Sequence, residues 1–239
     1  YRLKELGYSN FLVLEAEEKV GGLSRSFVDD AGFTWDIGGH VQFSHYPYFD
    51  EVMEHAVSQS DRYLHEREAW VFFQNKFIPY PFQNNIHLLH DGLALKCLQG
   101  LQNIQENTCP GNFKEWILSK FGQPLSDLFM LPYNYKVWAH PPELMNYSWI
   151  GERVSVIDLA RIRRNFTSKL PDKSWGPNNQ FWLPKHGGTG TIWKNVAHLI
   201  GQDRFHFNVN FRKIDFQLKC LTLDNGYAIK YNSLLSTIP

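Results

Sequence analysis

The pattern of apolar and polar positions divides this chain into a mixed first stretch, a long helical middle and a strand-rich end. Tyr1 to Leu6 sets Leu3 and Leu6 on one side of a helix end, with Gly7 as its stop. Phe11-Leu12-Val13-Leu14 is a short apolar run that closes on Glu15 and predicts a strand. Phe27-Val28 and Phe33 to Asp36 flank the turn Asp29-Asp30-Ala31-Gly32 and predict a hairpin. From Tyr48 to Ala56, Phe49, Val52, Met53 and Ala56 recur at helical spacing. Trp70 to Phe73 and Phe77 to Tyr80, joined by Gln74-Asn75-Lys76, predict a second hairpin.

From about His87 to Arg164 the period is helical. Asn112 with Glu115 predicts a capping box, followed by Phe113, Trp116, Ile117 and Phe121 on one face. Pro110, Pro124, Pro132, Pro141 and Pro142 cut the region into short helices. Ile192, Val196, Leu199 and Ile200 predict a further helix. Phe205 to Tyr231 reads as strands with Asp224-Asn225-Gly226 as a hairpin turn. Leu234 to Pro239 predicts one more buried strand. The order (α/β, hairpins, helical insert, strands) predicts a nucleotide-binding domain with a substrate domain threaded through it.

Composition narrows the partners. The formal net charge of the 239 residues is zero, which points away from nucleic acid or an anionic membrane surface as the main partner. No apolar run is long enough to span a membrane. Aromatic residues make up 15% of the chain, a supply suited to stacking on bases, flavins or sugars, although a large aromatic core accounts for at least half of them. Cys97, Cys109 and Cys220 have neither metal spacing nor a disulfide framework and read as reduced thiols of a cytoplasmic protein. No spacing suggests a metal site, a Ser-His-Asp triad or a pair of glycosidase carboxylates.

The candidate chemistry lies in loops. An acid at the end of a strand in a dinucleotide fold accepts from the adenosine ribose, about 20 residues after a Gly-x-Gly-x-x-Gly turn. Glu15 has that position, and the glycine turn is expected before Tyr1. Gly21 and Gly22 can turn their N–H groups toward a pyrophosphate, and an ordinary solvated turn is the plain alternative. Gly38-Gly39-His40 is a second place where backbone can approach a planar ring. Tyr80-Pro81-Phe82-Gln83-Asn84-Asn85 alternates aromatic faces with amides, either to stack and read a base or as a polar connection. Phe129, Tyr133-Asn134 and Trp138 repeat the theme, with helix packing as the plain reading. Arg153 suits a diphosphate, and a surface ion pair with Glu152 is its local alternative. Gly187-Gly188-Thr189-Gly190 precedes a helix whose N–H groups could meet an anion.

Taken together, these segments resemble the UDP-galactopyranose mutases of the eukaryotic type, within the FAD-dependent amine-oxidase-like superfamily. The resemblance rests on Gly38 to Tyr46, Tyr80 to Ile86, Leu128 through Ala139, Trp149 to Val154, Trp175 to Asn178 and Gly187 to Trp193, in one order. It runs through most of the chain and corresponds to roughly the first half of such an enzyme. It implies an α/β fold: a partial FAD-binding Rossmann-type domain with an inserted helical domain and an antiparallel β-sheet substrate domain. The expected divisions are a partial FAD-binding domain at 1–65, a hairpin of the substrate sheet at 66–86, a helical substrate-binding insert at 87–176, and strands, a helix and the return to the FAD domain at 177–239.

The activity implied is an isomerase that interconverts UDP-galactopyranose and UDP-galactofuranose through a covalent adduct between sugar and reduced flavin. By position, Glu15, Gly21, Gly22, Leu23, Ser24, Gly38, Gly39 and His40 face FAD. Tyr80 stacks on uracil, and Gln83 and the Phe129 backbone read its edge. Asn134 and Trp138 fix the ribose and phosphates, and Arg153 clamps the diphosphate. Phe43 and Asn178 flank the galactose, and His40 and Arg153 are the catalytic candidates. A reductant such as NADPH is a further partner. Gln42 and Leu131 depart from the family pattern without touching these roles. The resemblance leads us to expect that the 239 residues alone neither hold FAD tightly nor turn over. Two other readings stay open: another FAD-dependent amine-oxidase-like oxidoreductase, or a non-catalytic degenerate UDP-sugar-binding fragment.

Overall fold

The computed structural model describes residues 1–42, 44–105, 109–151, 154–173 and 179–238. Two compact units emerge, one of Tyr1–His65 with Phe181–Pro239 and one of Glu66–Gln180.

The first unit opens on α1 (Arg2–Glu5) and β1 (Val13–Leu14). The hairpin of β2 (Ser26–Val28) and β3 (Thr34–Asp36) forms as its turn predicts, with Phe27 opposite Trp35. Asp29 holds that turn by accepting from the N–H groups of Ala31 and Phe33 and from Trp35 Nε1. Helix α2 (Pro47–Ala56) starts on Pro47, which needs no intrahelical acceptor at that place. It packs Met53, Ala56 and the following Val57 against Ile192 and Val196 of α7 (Gly190–Ile200), and these buried side chains form the unit's core. β4 (Arg62–Glu66) pairs with β7 (Gln180–Pro184). Strand β1 finds its partner far along the chain, in parallel with β8 (Phe205–His206). A three-stranded antiparallel sheet follows, from β9 (Phe211–Asp215), β10 (Cys220–Leu223) and β11 (Ala228–Lys230), in the order β11-β10-β9.

One expectation fails here. Leu234 to Ile238 forms no strand, and Leu235 is 90% exposed. An apolar run becomes a buried strand only where a neighbour pairs with it and covers its faces. Among the described residues nothing does so.

The second unit begins with β5 (Trp70–Phe73) and β6 (Lys76–Pro79), antiparallel across Gln74 and Asn75, both at positive φ. A 3₁₀ segment, Phe82–Leu88, leads into α3 (Asp91–Gln102). Helix α4 (Phe113–Leu125) is capped as its sequence predicts: Glu115 N–H donates to Asn112 Oδ1 at 3.0 Å, while the Glu115 carboxylate accepts from Gly111 N–H at 2.7 Å. Phe113, Ile117, Phe121 and Leu125 are fully buried, each worth about 1.5–3 kcal/mol of transfer free energy. Gly122, at φ +66, breaks the helix, and a Cβ there would stand 2.6 Å from the carbonyl oxygen of Gly100 on α3. A π-helical turn, Ser126–Met130, then joins α4 to α5 (Leu131–Trp138). Pro132 lacks the N–H that a regular ladder would use there, which suits the widened turn. Helix α6 (Leu159–Ser168) begins at Asp158, whose side chain accepts from Ala160 N–H.

Candidate nucleotide-binding site

Within the second unit, the loop after β6, the π-helical turn and α5 enclose a cavity of about 130 Å³. Tyr80, Gln83, Phe129, Tyr133, Asn134 and Trp138 line it, with Met130, Val137, Trp149 and Val154 completing the wall. Pro79 and Pro81 deny the segment the N–H groups of a regular ladder, so the chain leaves the sheet at Tyr80 and enters the 3₁₀ segment. The π-helical turn and the helical period then bring Phe129, Tyr133, Asn134 and Trp138 to the same side.

A ladder of rings fixes the wall. Phe82 stacks on Phe129 at 4.1 Å between centroids, Phe129 on Tyr133 at 4.9 Å, and Tyr133 meets Tyr80 at 6.1 Å. Burial raises the pKa of the Tyr80 phenol well above its usual value, and Tyr133 adds to the effect. The hydroxyl therefore stays neutral at any physiological pH. Trp138 meets Trp149 edge to face at 4.8 Å and leaves 45% of itself exposed at the mouth.

Gln83 is the polar group at the base, 1% exposed. Its Nε2 donates to the Ser155 carbonyl at 2.8 Å, which decides the orientation of the amide, because a carbonyl only accepts. Its Oε1 has no hydrogen-bond partner among the described residues. Asn134, also buried, donates its own amide to Met130 O at 2.8 Å. A larger, more open cleft of about 670 Å³ runs between α3 and α4, but none of the predicted site residues lines it.

The other candidates lie in the first unit. Glu15 sits just past the carboxyl end of parallel β1, where its N–H donates to His206 O and its Oε1 accepts from Glu17 N–H at 3.0 Å. Gly21 and Gly22 turn the chain at φ 111° and 50°, into a short 3₁₀ turn holding Leu23 and Ser24. Leu23 is 76% exposed. At Gly38 and Gly39 a Cβ would meet nothing within 4 Å among the described residues. The Nδ1 of His40 is buried without a partner among the described residues.

Gly187 to Gly190 does something other than receive an anion. Thr189 N–H donates to Asp36 Oδ1 at 3.0 Å and Gly190 N–H to Ser26 Oγ at 2.8 Å. A Cβ on Gly190 would stand 2.4 Å from Ser26 N. These glycines let α7 approach the β2–β3 hairpin, and the hairpin's own side chains cap the helix.

The structure thus gathers Tyr80, Gln83, Phe129, Asn134 and Trp138 into one cavity. Phe43, Arg153 and Asn178 lie outside the described residues. Tyr133, which the sequence places in the aromatic-amide motif without assigning it a contact, joins them, and its position four residues after Phe129 puts it on the same helical side. Among the described residues no group of three or more His, Cys, Asp or Glu could hold a metal ion, and no helix is long and apolar enough to cross a membrane.

The sequence profile of the family described as flavin containing amine oxidoreductase matches residues 1–239. A crystal structure of a reduced UDP-galactopyranose mutase matches with a TM-score of 0.92 and 45% identity, over 100% of this chain and 52% of that one. A provisionally named protoporphyrinogen oxidase from Exiguobacterium sp. 255-15 matches with a TM-score of 0.63 at 14% identity, over 96% of this chain and 54% of that one. A fatty acid isomerase from P. acnes matches with a TM-score of 0.53 at 14% identity, over 95% and 52%. The last two share the fold alone. The chain spans about half the length of each of these structures.

Proposed function

The chain belongs to the flavin containing amine oxidoreductase family, and from that premise we propose that it is the nucleotide-reading half of a flavin-dependent isomerase, one that interconverts UDP-galactopyranose and UDP-galactofuranose. The observation that carries this reading is Gln83. A buried acceptor without a partner costs about 1–3 kcal/mol, which a ligand N–H recovers. Uracil presents such a donor at N3 and a flat face to stack on Tyr80. Cytosine presents a bare, accepting nitrogen at the same place, so the site favours UDP over CDP. Asn134 and Trp138 extend from the base toward the ribose and phosphates. The motif assigns Arg153 to the diphosphate and Phe43 and Asn178 to the galactose.

The first unit fits a flavin. Glu15 offers a carboxylate beyond a parallel strand, as a ribose acceptor requires. Gly21, Gly22, Leu23 and Ser24 offer turn backbone for a pyrophosphate, and the free side of Gly38 and Gly39 suits a planar ring. His40, whose Nδ1 has no partner among the described residues, is the side chain we assign to that ring. Reduced FAD, when bound, supplies the nucleophile for the anomeric carbon of the sugar. The protein's part is to hold the nucleotide in place and to keep charge opposite the diphosphate through Arg153.

Because the chain spans 52% of the related mutase, we assign turnover to the longer protein and nucleotide binding to the chain itself. A reductant such as NADPH and a cytoplasmic setting go with this reading, and the three free cysteines are consistent with it. The longer protein, incubated with UDP-galactofuranose and dithionite, is expected to yield the pyranose by chromatography. Bound flavin with no conversion would refute the assignment.

A further inference from the structure

Asn85 is fully buried. The two N–H groups of Nδ2 are shared among three carbonyls, those of Pro79 and Pro81, both at 3.1 Å, and of Asp172 at 2.7 Å. Its Oδ1 accepts from Asp172 N–H at 2.8 Å. Pro79 and Pro81 are the neighbours of Tyr80 on either side, so a single side chain grips the backbone before and after the ring that walls the cavity. Asp172 is held in turn. Arg161 on α6 forks onto both its carboxylate oxygens, and Asn165 donates to Oδ2 at 3.1 Å and to Asn84 O at 2.9 Å. Asn84 precedes Asn85 and follows Gln83. The contacts run from α6 through Asp172 and Asn85 to the backbone on either side of Tyr80, and from Asn165 to the Asn84 carbonyl beside Gln83. All of it lies in the second unit.

We propose that Asn85, Asp172 and Arg161 are positioning residues that set the plane of Tyr80 and the reach of Gln83, and so tune the preference for a uracil base. The inference rests on the nucleotide reading above. Beyond the bond from Tyr80 N–H to Ala69 O at 2.9 Å the prolines deny the loop further ladder N–H groups, and the buried Asn85 amide, set against three carbonyls, supplies the hold that the ladder would give. Stacking and a single hydrogen bond both depend on placement, so a small displacement weakens the base more than the phosphates.

The test uses the 239-residue chain with UDP and CDP as probes, titrated by tryptophan fluorescence, since Trp138 and Trp149 line the cavity. Asn85→Ser retains a polar side chain too short to span both carbonyls. It is expected to weaken UDP about tenfold and to shrink the UDP/CDP ratio, with CDP, which shares the stacking on Tyr80 but not the bond to Gln83, losing clearly less. Arg161→Lys, at a side chain 29% exposed, retains the charge and loses the fork. It is expected to lower UDP affinity about threefold, and it decides the matter if Asn85→Ser does not fold. Wild-type affinity and preference in a folded variant, whatever its melting temperature, would overturn the proposal. So would an equal loss for UDP and CDP. A wild-type chain with no preference for UDP would instead overturn the nucleotide reading itself.

Discussion

Gln83→Leu separates reading the base from holding the fold. The substitution removes the bond from Nε2 to Ser155 O, a net loss of about 1 kcal/mol. It also removes Oε1, a buried acceptor with no partner among the described residues, whose desolvation costs about 1–3 kcal/mol in the free protein. Leucine has a similar volume and suits a site 1% exposed. The two terms oppose each other and leave a net change between about zero and 2 kcal/mol in favour of the variant, so Tm should hold or rise by up to roughly 4–8 °C for a chain of this size. Binding has no such compensation. The variant cannot accept from uracil N3, and UDP affinity should fall about tenfold or more, while CDP, which gains nothing from that acceptor, is nearly unchanged. Scanning fluorimetry and paired UDP and CDP titrations measure both quantities on one preparation. Unchanged UDP affinity would show that Oε1 does not face the base. A Tm loss beyond about 10 °C would show that the Ser155 bond outweighs the unpartnered acceptor, and that the balance drawn here is wrong.

Two further outcomes follow from the second unit. Gly122→Ala forces a Cβ to within 2.6 Å of Gly100 O at a φ of +66°, and should lower stability by about 2–4 kcal/mol in denaturant unfolding; a loss under about 0.5 kcal/mol would mean that α3 yields freely. His87 keeps its proton on Nε2 for Leu170 O at 3.0 Å, and burial lowers its pKa below 6.5. Between that lowered value and 6.5 the unfolded chain binds more protons, so stability rises with pH through the window and falls as the pH drops below about 6.5. His87→Gln should flatten the wild-type rise of Tm between about pH 5 and 7, and identical slopes would refute this account.

Much of the chain follows from residues within a turn of one another. The Asp29 turn, the Gln74-Asn75 hairpin and the Asn112–Glu115 cap form as their residues predict, because each is a local exchange of hydrogen bonds. The aromatic-amide motifs marked Tyr80, Gln83, Phe129, Asn134 and Trp138 as one set by resemblance. Their convergence on one cavity came from the fold. So did the partner of β1, the capping of α7 by Ser26 and Asp36, and the exposure of Leu234 and Leu235. The same holds for the Asn85–Asp172 pair, 87 positions apart. Periodicity and caps report which face a residue takes within its own element. Whether a buried carbonyl finds a donor, or an amide oxygen stays free for a ligand, depends on segments that only folding brings together.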